Sequence, residues 1–290
     1  MKKVGFCCVY GRANAGKSTI INKCLGFKFL PVSSKPQTTR DNVHAIYNDE
    51  ESQIVFVDTP GVFRPHGKLG SILLRDAESA KEGVDVIVYV IDASEVPNFE
   101  LAEKLAKQDI PVIIAYNKLD LVSADIGESR LARYREILPN APYLRICAKD
   151  GYGISELISL IKNYLSEGEN IFPEDIVSDR PMEFVISEII REKCMRNLQA
   201  EVPHSIYIDV KHVQEDENGM EVYADLIVEK ESERAIVIGK QGKMISTIRR
   251  FSEQSLRSYF GVPVRVELLV KAIPDWRNQE KYLRKFGYED

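Results

Sequence analysis

At 290 residues, with 44% apolar and 29% charged, the chain is long enough for two domains with separate cores and has an ordinary soluble composition. No run approaches the ~20 apolar residues that cross a membrane, and five cysteines without paired spacing read as reduced cytosolic thiols, not a disulfide framework or a zinc site. A net charge of −5 argues against a protein that simply coats nucleic acid.

The first residues, MKKVGFCCVY, are basic and then apolar, as in a secretory signal. They run into a glycine loop without a small-residue cleavage site, so 3–10 is read as a buried strand with Cys7 and Cys8 as small hydrophobes. The loop that follows, Gly11, Arg12, Ala13, Asn14, Ala15, Gly16, Lys17, Ser18 and Thr19, fits G-x-x-x-x-G-K-[ST] between a strand and a helix. Its glycines let backbone N–H groups curl around phosphate oxygens, and the helix N-terminus adds its dipole. Lys17 supplies charge at the β- and γ-phosphates, and Ser18 offers a hydroxyl to Mg2+.

Further strands are expected at 43–48, 53–58, 84–91, 111–116 and 143–147, with helices beginning near Lys17, Lys68, Asn98, Asp125 and Ile154. This alternation predicts an α/β domain over 1–168, built on a mostly parallel six-stranded sheet. Only DEES separates 43–48 from 53–58, so those two strands form an antiparallel hairpin. Three strand ends carry chemistry. FVDTPG sets Asp58 to hold Mg2+ through water, with Thr59 and Pro60 leading to Gly61, whose N–H reaches a γ-phosphate. AYNKLD places Asp120 to accept from the N1–H and exocyclic amine of guanine, a donor pair adenine lacks in that arrangement. Asn117 bonds the other edge of the base, and Lys118 lays its stem along the ring. ICAKDG presents the Ala148 N–H to the guanine carbonyl. Each motif alone is weak, but in this order they specify GTP and GDP.

Residues 169–180, polar, acidic and proline-bearing, are read as a linker. An α+β domain over 181–290 follows: a helix, two strands, a glycine loop opening a second helix, a strand and a basic C-terminal helix. Charge divides sharply inside it. Residues 181–233 hold 5 basic and 13 acidic side chains, a balance of −8, and 234–285 hold 12 and 4, a balance of +8. The basic half contains Gly239, Lys240, Gln241 and Gly242. That spacing and element order match the G-x-x-G loop with which KH domains clamp about four single-stranded nucleotides. Lys240 and Lys243 would neutralise phosphates, Arg249 and Arg250 would extend the basic face, and Ile238, Ile245 and Ile248 would line a groove for bases. A lone G-x-x-G also fits an ordinary helix-opening turn; the +8 segment favours RNA. Trp276 could stack on a base or pin the C-terminal helix, and a single aromatic favours pinning.

The first domain resembles the translation-factor-like class of Ras-type GTPases. That resemblance makes Thr39 in KPQTTRD the switch threonine that reaches Mg2+ when the γ-phosphate is present, with Thr38 beside it as the alternative. It also puts Val62 where Ras has a water-orienting glutamine, so intrinsic hydrolysis should be slow. In similar GTPases a P-loop asparagine helps to bind K+; Asn14 is in place, although asparagine also suits a turn that bonds locally. Cys147 stands where serine is usual; the base contact is expected from the backbone there, so little should be lost. With KPQTTR, FPED, SEIIREK, IGKQGKMI and DWRNQEKYLRKFGY, nearly the whole chain resembles the Era family of bacterial GTPases. Membership implies a type II KH domain, binding to the 3′ end of 16S ribosomal RNA, and a part in 30S assembly. It also implies a cytoplasmic protein partly associated with the inner face of the membrane. Coupling would pass through the mobile segments 31–41 and 59–70. A signalling GTPase docking a protein or membrane partner is the alternative; a P-loop kinase is disfavoured by NKLD.

Overall fold

A computed structural model of the chain describes residues 1–33, 40, 42–62, 65 and 67–288. These form two compact units: 1–30, 40, 42–62 and 73–179 in the first; 31–33, 65, 67–72 and 180–288 in the second.

The first unit is a sheet of seven strands: β1 (Lys2–Gly11), β2 (Val43–Asn48), β3 (Ser52–Asp58), β4 (Val86–Asp92), β5 (Val112–Asn117), β6 (Tyr143–Arg145) and β7 (Ser166–Gly168). Its main order is β2-β3-β1-β4-β5-β6, parallel except for the β2/β3 hairpin. All residues of β3, β4 and β5 are buried, as parallel strands covered on both faces must be. One face carries a cluster with Tyr10, Ile87, Tyr89, Leu105, Leu131 and Tyr134. On the other lie α1 (Lys17–Leu25) and α5 (Ile154–Lys162).

The seventh strand is a departure from the six expected. β7 pairs antiparallel with Lys2–Val4, on β1 before the register with β4 begins at Cys7. Three residues, SEG, are too short to show any period. Residues 169–179, read above as a linker, belong to the first unit and run along β2. Gln53 Oε1 accepts from Ile171 N (2.7 Å) and Phe172 N (2.9 Å), and Ile46 N donates to Val177 O (3.0 Å).

In the second unit, β8 (Tyr207–Asp216), β9 (Gly219–Val228) and β10 (Val264–Ala272) form a sheet of order β10-β9-β8. β8/β9 is antiparallel and β9/β10 parallel, so the last crossover carries helices. These are α7 (Glu231–Ile238) and α8 (Lys243–Phe260), with α6 (Met182–Asn197) packed on α8 and β8. Trp276 is fully buried and its Nε1 donates to Ser205 O (2.8 Å); Phe286 stacks on Tyr207 with centroids 3.9 Å apart. Trp276 therefore pins the C-terminal segment. Within the same unit, Lys68 N donates to Asn278 Oδ1 (3.1 Å) and Lys68 Nζ to Glu280 (2.8 Å).

Candidate nucleotide site and nucleic-acid loop

The loop after β1 closes on itself through Ala15 N to Arg12 O (3.3 Å), and the turn from β3 is laced to it by Val62 N to Gly11 O (3.1 Å) and Ala13 N to Val62 O (3.4 Å). Asn14 (φ 63) and Gly16 (φ 101) adopt left-handed conformations that asparagine and glycine tolerate. A Cβ on Gly16 would lie 2.3 Å from Asn117 Nδ2, so glycine lets the guanine-type loop approach the phosphate-type loop.

Lys17 is 6% exposed, and its Nζ donates to Arg12 O (3.1 Å) and Gly11 O (3.3 Å), holding the ammonium over the loop mouth. Burial pushes its pKa down from 10.5 to about 8, against the opposing pull of Asp58. Asp58 is fully buried and accepts from Ser18 Oγ at 2.8 Å, which sets two hard oxygen donors side by side. Thr59 Oγ1 donates to Val9 O (3.0 Å), so this hydroxyl ties the turn to β1; Pro60 and Gly61 are buried beside it and Thr19 is half-buried. Arg12 is exposed and paired with Glu95 at 3.0 Å. Thr39 and Thr38 lie outside the described residues.

Asn117 joins three loops: Nδ2 donates to Ala15 O (2.9 Å), and Oδ1 accepts from Ala148 N (3.0 Å). The Ala148 N–H expected to face a base carbonyl is thus bonded to Asn117, because β5 and β6 end side by side; a base could take only a shared bond from it. Lys118 is left-handed (φ 64) and its Nζ donates to Asp92 Oδ2 at 2.6 Å. Asp92, which the sequence reading missed, also accepts from Ser94 N (2.9 Å) and Ser94 Oγ (2.6 Å). An aspartate ending the apolar strand VIVYVID, with serine two residues on, was the available signal. Asp120 is exposed on the turn Leu119–Leu121, and its Oδ1 accepts from Cys147 Sγ at 3.4 Å.

In the second unit α7 ends at Ile238, and Gly239 (φ 72), Gln241 (φ 54) and Gly242 (φ 74) make the loop that opens α8. A Cβ on Gly239 would lie 2.7 Å from Met244 Cβ, whereas Gly242 faces open space. Lys240, Gln241, Lys243 and Arg249 are exposed; Ile238 and Ile245 are half-buried. Ile248 does not line a groove: it is fully buried, one turn further along α8 on the core side. Ile236, 51% exposed on α7, is the apolar side chain presented instead.

A strand–loop–helix cradle beside an Asn-Lys-Leu-Asp turn on a Ras-like sheet, together with a helix–G-x-x-G–helix on a three-stranded sheet, defines a P-loop GTPase carrying a KH domain. The 50S ribosome-binding GTPase family matches residues 6–118 and the KH domain family residues 201–277. GTPase Era of Clostridium kluyveri is 36% identical over 297 residues, covering 100% of both chains, and that of Geobacter sp. strain M21 is 37% identical over 98% of this chain and 97% of its own. The chain belongs to the GTPase Era family, and it hydrolyses GTP. Two solved structures superpose with a TM-score of 0.94 at 35% identity: an Aquifex aeolicus Era variant bound to GDP·AlF4−, covering 99% of this chain, and Era with MgGDPNP and nucleotides 1506–1542 of 16S ribosomal RNA, covering 100%; each is itself covered in full.

Proposed function

We propose that the protein is a GTP-hydrolysing switch that binds the 3′ end of 16S ribosomal RNA and assists 30S assembly. The observation that carries this reading is the pairing, in one chain, of the Lys17 cradle with the open, lysine-flanked loop at Gly242. The RNA fragment held by the Era relative supports it. The protein works in the cytoplasm, with peripheral attachment to the membrane's inner face resting on family alone; no helix of the described residues is long and apolar enough to cross one. Crosslinking in cells tests the reading: reads should concentrate at the 3′ end of small-subunit RNA and rise with a non-hydrolysable GTP analogue in extracts. Reads scattered over other RNAs, or none, would favour a GTPase that docks a protein or membrane partner.

In this reading the Gly11–Ser18 N–H groups and Lys17 hold phosphates, and Asn117, Lys118 and Asp120 hold guanine, with Ala148 sharing its N–H. Ser18 and Asp58, with Thr39, hold Mg2+; their oxygens suit it, and the ion offsets phosphate charge. Ile238, the Gly239–Gly242 loop, Lys243, Ile245 and Arg249 take the RNA.

Lys17 gives this assignment a pH signature. Because its folded-state pKa is lowered to about 8, the unfolded chain binds more protons between about pH 8 and 10.5, and folding stability rises with pH across that window. Bound phosphates restore the ammonium. GDP binding is expected to take up protons near pH ~9 and to weaken as pH rises past ~8, but not in Lys17→Arg, whose guanidinium stays charged. Calorimetry in buffers of different protonation enthalpy reads the uptake. Equal uptake in both proteins would assign it to another group.

Val62 packs against the apolar cluster and carries nothing that orients water. Catalytic help must therefore come from elsewhere: Asn14 would hold a K+ ion, which would supply positive charge at the phosphates. GTP turnover is expected to be about 10-fold faster in KCl than in NaCl, and Asn14→Ala should erase the difference. Equal wild-type rates in the two salts would exclude the K+ site.

A further inference from the structure

We propose that the cavity behind the Asn-Lys-Leu-Asp turn is an allosteric site for a small, uncharged ring compound bearing one oxygen acceptor, and that filling it tightens guanine nucleotide. The second half rests on the reading that this turn holds the base.

The cavity holds about 180 Å3 between the turn Leu119–Leu121 and the helix Ala124–Ile137. Leu119, Val122, Gly127, Leu131 and the ring of Tyr116 give it apolar walls. An apolar cavity of about 150 Å3 can take up benzene, so this one has room for a six-membered ring and one substituent. A polar group is built into the wall. Tyr116 is 1% exposed, and its hydroxyl is buried with no hydrogen-bond partner among the described residues. An unpaired buried hydroxyl is destabilising, and a ligand's oxygen acceptor would remove that penalty. Burial raises the hydroxyl's pKa, so it keeps its proton and donates. Arg145 and Glu128, the charged residues of the lining, are paired with each other and present no net charge, which selects an uncharged ligand.

Gly127 keeps the space open. It lies inside the helix, its N–H donating to Ser123 O (3.0 Å), where glycine is less stable than alanine. A Cβ there would meet Val122 Cγ2 at 3.6 Å and Tyr116 Cε1 at 3.8 Å, ordinary contacts, so alanine would fit without strain. Helix stability is forgone where a methyl would enter the cavity, beside the ring carbon next to the one bearing the hydroxyl. A local rule broken without strain to explain it marks a functional position. Leu119 links the cavity to the base loop, because it stands between Lys118 and Asp120. A ligand packed against its side chain braces the turn from behind. By linkage, GDP must then tighten the ligand by the same factor.

The test is a protein-observed NMR titration of the full chain with acetophenone, an aromatic ketone, and with α-methylstyrene, which has its shape without the oxygen. Acetophenone is expected to bind with a Kd of about 1 mM or below and to shift the amides of Leu119, Val122 and Gly127. Tyr116→Phe should weaken it about 5-fold or more and leave α-methylstyrene within about 2-fold. Gly127→Ala should raise the Tm by about 2 °C and weaken both compounds about 5-fold. Saturating acetophenone should tighten GDP about 3-fold, and GDP should tighten acetophenone equally. If acetophenone leaves those amides unmoved, or binds Tyr116→Phe as well as wild type, the inference falls and the hydroxyl is served by water only. Acetophenone that binds there without changing GDP affinity also overturns it. Asp120→Asn separates that result from a failure of the guanine reading. Its amide can donate to the C2 carbonyl of xanthine, so preference should pass from GDP to XDP. If it passes, the allosteric inference alone falls; if it does not, the base assignment falls and takes the coupling with it.

Discussion

Exchanging Lys240 and Gln241 together for aspartate is expected to remove RNA binding, lowering affinity for a 3′-terminal small-subunit RNA fragment by roughly 100-fold or more at physiological salt. GDP affinity and thermal stability should hold. In the proposed reading the loop brings backbone to the RNA, not large side chains: Gly242 is left-handed with nothing near its Cβ position, so a phosphate can approach closely. Lys240 and Gln241 flank that approach and are exposed. Two aspartates delete one favourable charge and add two repulsive ones at the same spot. Aspartate tolerates the left-handed φ of 54 at position 241, so the loop need not unfold. A salt series measured by fluorescence anisotropy on the single Lys240→Ala variant should show the log–log slope fall by about one. If the double variant binds as well as wild type, the loop is only a helix-opening turn, and the second unit must be given a protein or membrane partner.

What the sequence disclosed depended on whether the chemistry lay contiguous in the chain. GRANAGKST, DTPG and NKLD each put a strand, a turn and the functional side chains within nine residues, and the sheet brings them together as expected. Asp92 was overlooked because its partner Lys118 is 26 residues away and only the parallel register of β4 with β5 makes them neighbours. The Cys147–Asp120 contact was hidden for the same reason: β5 and β6 end side by side. Short elements failed differently. β7 has three residues and no period, and α7 reads ESERAIVI, whose β-branched apolar end mimics a strand. The step from Ile245 to Ile248 misled because residues three apart share a helix face yet sit about 60° apart around it, enough to pass from a groove edge to the core.

Gly61→Ala is expected to cut GTP turnover by about 100-fold while GDP affinity stays within about 3-fold of wild type. The obstacle is space. A Cβ on Gly61 would lie 2.4 Å from Ala13 Cα and 2.7 Å from Ala13 N, and these are backbone atoms of the phosphate loop that cannot rotate aside. On the far side Val62 is laced to the same loop through Gly11 O and Ala13 N. Adding the methyl therefore parts two loops by something near an ångström at the point where the Gly61 N–H is proposed to meet the γ-phosphate. Misplacement on that scale costs on the order of 100-fold in rate, because the reacting oxygens leave the in-line geometry. GDP lacks the γ-phosphate, and of the groups proposed to hold it the methyl meets only Ala13, leaving Gly16, Lys17 and the base loops untouched. The control is Gly168→Ala, where the nearest atom to a new Cβ is Val4 Cβ at 4.0 Å and both turnover and binding should be unchanged. The diagnostic readout is the ratio of non-hydrolysable GTP analogue to GDP affinity, which should drop in Gly61→Ala and not in the control. Turnover at the wild-type rate would mean that these two loops separate when nucleotide binds, and that the γ-phosphate is held by other N–H groups.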